Sequence, residues 1–194
     1  MQTSPWSSIG LLIFCSLFTT HCGYYWGHGN RSLPQGYKTI FIEVFENRSN
    51  EAGAEMLFTR ALTEEFRRSG FIQVTTRERA DVVLKGVLLS INYHGQTLTK
   101  EFKDQEGNTI PSARLFADYN INVMASLQLV KTLDKKRIWQ DTLRGLKSYR
   151  PSQIKSFGVR SSNPLYNQSS KELTLNLVAK DMMNDAFSRM TENF

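Results

Sequence analysis

Beyond residue 22 the chain contains no cysteine: its 194 residues include two, Cys15 and Cys22. That excludes a disulfide framework, a thiolate zinc site and a cysteine nucleophile from everything downstream. Histidine is almost as scarce. His21, His28 and His94 have no Asp, Glu or Cys partner at metal-ligand spacing, so the sequence predicts no metal site. No stretch approaches the ~20 apolar residues that a transmembrane helix requires. The chain also lacks a Gly-x-Gly-x-x-Gly turn, a phosphate-binding Gly-Lys-Ser/Thr loop and a Gly-x-Ser-x-Gly elbow. The adjacent carboxylates Glu64 and Glu65 fall on a predicted helix, where neighbours point about 100° apart and cannot share one substrate. The expectation is a protein that is not an enzyme and uses no cofactor.

What remains is an ordinary globular composition: 40% hydrophobic, 22% charged and 11% aromatic. That content opposes wholesale disorder, and the length suits one domain able to bury roughly 70% of its unfolded surface. Lys and Arg number 24 against 18 Asp and Glu, a net charge of +6. The excess favours an acidic partner without choosing among nucleic acid, anionic lipid and protein.

The start of the chain reads as a targeting segment. Ile9 to Phe18 form a ten-residue apolar run inside residues 1–21, which hold no Lys, Arg, Asp or Glu. The run is too short to span a bilayer comfortably but fits the core of a secretory signal. Cys22-Gly23 follows closely and resembles the acylated first residue of mature bacterial lipoproteins. An ordinary cleaved signal, or a buried strand with an incidental cysteine, would also carry such a run. The expected organisation is a signal peptide over 1–21, a lipidated linker over 22–36 and a single domain over 37–194. All of the +6 lies in residues 22–194, and an exported body disfavours nucleic acid as partner.

Thr39 to Phe45 is nearly all β-branched or aromatic, which predicts an interior strand buried on both faces. Ala54, Leu57, Phe58, Ala61, Leu62 and Phe66 recur at spacings of three and four, predicting a helix over 51–69. Gly70 supplies its left-handed C-cap. A short strand over 71–75 follows. Val82 to Tyr93 reads as a long strand with Val83, Val87, Leu89, Ile91 and Tyr93 on one face and Val82, Leu84 and Leu88 on the other. Residues 94–114 read as an extended hairpin or mobile loop. From Leu115 to Val130, apolar Tyr119, Ile121, Val123, Ala125, Leu127 and Leu129 alternate with polar neighbours, which predicts one buried and one wet face. After a turn over 132–136, a partner strand over 137–149 completes an antiparallel hairpin. Residues 150–168 read as irregular. Ser169-Ser-Lys-Glu172 matches a capping box and opens a last helix to about Met190. The predicted fold is α+β: a two-layer sandwich, its mixed sheet of four to five strands carrying two helices on one face, in the order β-α-β-β-β-β-α.

Basic residues gather in three places: Arg77, Arg79 and Lys85; Lys135, Lys136 and Arg137; and Arg144, Lys147 and Arg150 at the end of the last strand, continuing into Lys155 and Arg160. Solvated sheet edges and turns carry such residues too. Read functionally, they are anion contacts, and Arg's planar fork suits phosphate. The strand-end group with Arg114 is the first candidate, which makes Arg114, Lys147 and Arg150 the proposed anion contacts.

The motifs Cys22-Gly-Tyr24, Leu33-Pro-x-Gly-x-Lys-Thr-Ile40, Val44-Phe-Glu-Asn-Arg-Ser49, Glu55-x-x-Phe-Thr-x-Ala-Leu-Thr-Glu-Glu-Phe66 and Arg79-Ala-Asp-Val-Val-Leu-Lys-Gly86 stand in an order and spacing that resembles the LPS-assembly lipoprotein family, LptE. Ala117-Asp-Tyr119 and the strand around Trp139 extend the likeness. The resemblance implies a two-layer α/β domain, tethered through Cys22 to the periplasmic face of the outer membrane. Such proteins plug an LptD-like β-barrel, assist its assembly and bind lipopolysaccharide on its way to the surface. The alternative is an accessory lipoprotein of another envelope lipid-transport or secretion system.

Overall fold

The computed structural model describes residues 32–98, 102–103, 109–110, 115–149, 153–156, 159–162 and 164–192. Its main sheet is built from β1 (Thr39–Ile42), β2 (Glu46–Asn47), β3 (Gln73–Val74), β4 (Val82–Leu98), β7 (Leu115–Lys131) and β8 (Arg137–Tyr149). Two further pairs of strands, β5 (Phe102–Lys103) with β6 (Thr109–Ile110) and β9 (Gln153–Ser156) with β10 (Val159–Ser162), form small hairpins. The helices are α1 (Ala54–Ser69) and α2 (Pro164–Thr191). The order across the sheet is β3-β1-β4-β7-β8, with β2 also paired to β4. β1 runs parallel to β3 and β4, whereas β4, β7 and β8 are antiparallel. The sheet is therefore mixed, as expected, with six strands rather than four or five.

α1 starts at Ala54, three residues later than predicted, because Gly53 sits at φ 83° and breaks the helical path. Gly70, at φ 69°, ends it as expected. The loop before the helix is built by Asn47, whose Nδ2 donates to the Glu51 carbonyl at 2.8 Å and to Glu55 Oε2 at 2.7 Å. Phe58, Leu62 and Phe66 are fully buried on the sheet side, and the Phe66 ring meets Phe187 of α2 edge-on at 5.0 Å. Burying each such side chain stabilises by about 1.5–3 kcal/mol. The second helix starts at Pro164, not at Ser169. Proline's fixed φ and missing N–H suit a first helical position, so the capping-box pattern lies inside the helix.

The core lies between the helices and one face of the sheet. β7 shows the predicted alternation: Ile121, Val123, Ala125, Leu127 and Leu129 are fully buried, and the residues between them are only half-buried or exposed. β1 is interior as predicted, yet its burial also alternates, with Ile40 and Ile42 covered and Thr39 and Phe41 half-buried. β4 departs from the predicted faces. A bulge between Leu88 and Ser90 shifts the register against β7. Val82, Leu84 and Leu88 therefore share the helix side with Ile91 and Tyr93, while Leu89 is turned outward. The strand also runs on to Leu98, so its pairing with β7 continues past Tyr93 into the segment predicted as a hairpin or loop.

Candidate functional site

The sheet has two unlike ends. At one, the chain enters through Tyr37 and Lys38, and the turn between β7 and β8 lies beside it. At the other, the β4–β7 pair continues outward and α2 begins its second turn. Here Tyr93, Tyr119 and Tyr149 fall in neighbouring register positions of β4, β7 and β8. The Tyr119 and Tyr149 rings stack with centroids 5.3 Å apart. Tyr93 donates its hydroxyl to Glu51 Oε2 at 2.8 Å, and Lys171 Nζ sits 2.8 Å from the same oxygen and 4.4 Å from the Tyr93 ring centroid. Burial first, and then the bond to Glu51 and its charge, hold the Tyr93 phenol well above its usual range. Burial, with Tyr119 and Glu51 behind it, raises Tyr149 as well. Both phenols stay protonated at neutral pH. They offer neutral hydroxyls and aromatic faces, not a base.

Lys147 lies two residues before Tyr149 on the helix-covered side of β8, where its ammonium pairs with Asp181 of α2. A cleft of about 220 Å³ opens there between the edge strand and the helix, lined by Arg144, Lys147, Asp181, Met182 and Asp185 among others. One of its two cations is thus already neutralised, and an anion would have to displace Asp181 to use it. Arg114, Arg150 and Cys22 lie outside the described residues. Of the predicted contacts, the structure therefore places Lys147 alone.

Sequence reasoning missed the Tyr93–Glu51–Lys171 set. Its members are 42 and more positions apart, and no local spacing announces them. Glu65, one of the adjacent pair on α1, is 7% exposed and accepts from Arg68 at 2.9 Å and from Asn184 at 3.3 Å. Of the basic groups on the uncovered sheet face, Arg77 pairs with Glu43 and stands 5.4 Å from the Phe41 ring centroid. Among the described residues no cluster of His, Cys, Asp or Glu could hold a metal ion, and no helix is long and apolar enough to cross a membrane.

The features so far define a class: a small α+β domain whose mixed sheet bears two helices on one face. The chain belongs to the LptE family, described as lipopolysaccharide-assembly, whose model matches residues 37–192. No curated protein matches it. Among solved structures it is similar to PelC from Paraburkholderia phytofirmans, with 14% identity over 84% of this chain and 93% of that one at a TM-score of 0.46. It is also similar to a minor lipoprotein from Acinetobacter baumannii, at 14%, 80%, 93% and 0.46 respectively. A third likeness is to a putative lipoprotein from Caulobacter crescentus, at 8%, 76%, 88% and 0.45. Likenesses this loose bear on nothing further.

Proposed function

We propose that this chain is an outer-membrane lipoprotein, with residues 1–21 removed as a signal, Cys22 acylated, residues 22–36 serving as tether and 37–194 as the working domain. The domain plugs an LptD-like β-barrel from the periplasmic side, assists the barrel's assembly and binds lipopolysaccharide during export, without enzymatic activity. The observation that carries this reading is the family match across residues 37–192. Physical features support it. The uncovered sheet face exposes Asn92, His94, Asn122, Gln140 and Thr142 beside the apolar Leu89 and Leu146, and its polar groups suit the polar interior of a barrel. Lys and Arg supply charge-assisted bonds to the phosphates of lipid A, and Arg114, Lys147 and Arg150 are the proposed contacts. A single acyl chain anchors only marginally, so stable attachment calls for a multiply acylated Cys22.

The N-terminal mass of the mature protein tests the anchor: acylated Cys22 is expected, and an unmodified residue elsewhere would contradict it. Lipopolysaccharide binding by the purified protein tests the ligand, and binding no tighter than to neutral glycolipid would reject it.

A further inference from the structure

The end of the sheet where the chain enters carries an arrangement that lipopolysaccharide binding and barrel plugging leave unused. Leu133, at the tip of the β7–β8 turn, is 99% exposed, and Phe71, just past the C-terminus of α1, is 49% exposed. Phe71 shares an open cavity with Lys38, Arg67 and Gln73. Lys131 Nζ lies 5.8 Å from the Tyr37 ring centroid, and the turn that follows is held to β4 by Thr132, whose N–H and hydroxyl donate to Asp81 and Ala80 carbonyls at 2.9 and 2.6 Å. Two apolar side chains are therefore presented on one end, among the cations Lys38, Arg67, Lys131, Lys135, Lys136 and Arg137. Of the acids nearby, Asp81 accepts from Thr39 and Asp134 accepts from the Lys136 N–H at 3.0 Å, while Glu78 in the loop before β4 is exposed. Lys135 is held at φ 54°, a conformation that Asn or Gly adopts at lower cost.

We infer that this end is a contact surface for an anionic phospholipid headgroup layer, with Leu133 and Phe71 dipping into the interface and the cations lying over the phosphates. Exposed apolar residues ringed by Lys and Arg are the composition of interfacial membrane contacts, and each cation near such a surface strengthens binding about fivefold. The occupant follows from charge complementarity and from where the chain outside the described residues joins the domain. Residues 22–32 span at most about 40 Å when extended, so an acylated Cys22 would keep this end near the bilayer. The last step rests on the proposed acylation; the surface itself does not.

The test uses the full chain carrying Cys15→Ser and Cys22→Ser, with one reporter cysteine at Leu133→Cys or, as control, at Leu146→Cys, labelled with an environment-sensitive fluorophore. Cys22→Ser removes the acylation site, so the outcome is independent of acylation. On phosphatidylethanolamine–phosphatidylglycerol vesicles the label at 133 should shift to the blue and that at 146 should not. On pure phosphatidylcholine the shift should shrink several-fold. Lys135→Asn should weaken vesicle binding about fivefold while leaving the thermal midpoint unchanged or higher. No shift at 133, equal shifts at both positions, or an equal response to a soluble acidic protein would overturn the proposal.

Discussion

A Cβ added at position 145 would stand 2.4 Å from the Met182 sulfur and 2.8 Å from a Val178 methyl, so the bare backbone of Gly145 is what lets α2 lie close to the edge strand. Gly86 plays the same part under the Phe45 ring, which a Cβ at that position would strike. Overpacking of this kind costs about 1–3 kcal/mol. Gly86→Ala and Gly145→Ala should therefore lower stability in urea unfolding by that amount, whereas Leu146→Ala, at a 72% exposed position, should stay within about 0.5 kcal/mol. Neither glycine could be recognised from the sequence, because the side chains that fill their place come from distant segments. Lys147 teaches the same lesson. Its position in a basic strand end was legible, but its commitment to Asp181, 34 residues away, was not. If lipopolysaccharide meets Arg114 and Arg150, their alanine variants should weaken binding about tenfold, as expected for a lost charge-assisted bond. Lys147→Ala should weaken it less, because its charge is already shared. Titration of purified variants with lipopolysaccharide checks the order, and unchanged binding in both arginine variants would reject those positions.

Among the elements, those with a regular period were legible and those shaped by a local interruption were not. β7 could be read because its alternation runs unbroken, and the apolar stripe of α1 because its positions repeat at three and four. β4 could not, because one bulge at Leu89 reverses which side chains face the helices, and nothing in the apolar pattern marks where a bulge falls. At the far end of β4, Tyr93 joins the loop before α1 to the second turn of α2 through Glu51 and Lys171. This predicts a pH dependence. A phenol whose folded value is raised binds its proton more tightly in the folded chain, so its contribution is intact below the ordinary value of about 10 and is lost as the pH climbs through the folded value. Denaturation midpoints measured between about pH 9 and 11.5 should fall more steeply for the native chain than for Tyr93→Phe. Parallel curves would show that Tyr93 does not couple these elements.

For the molecule as a whole, the +6 charge is unevenly used. On the uncovered sheet face and around α2, several cations are neutralised in pairs, Arg77 with Glu43 and Arg189 with Asp141 and Asp185. At the end where the chain enters, the cations stand beside exposed apolar side chains. That division suits a domain with its polar faces inside a barrel and its entry end at a phosphate-bearing layer. The fold class could be read from the sequence because it depends on the order of long periodic segments. The arrangement of charge could not, because it depends on which distant segments meet. Barrel plugging is tested most directly by purifying the tagged chain from detergent-extracted envelopes and identifying what accompanies it. One large outer-membrane β-barrel in about equal amount should accompany the chain, retained through size-exclusion chromatography. Recovery of the chain without any barrel would contradict it.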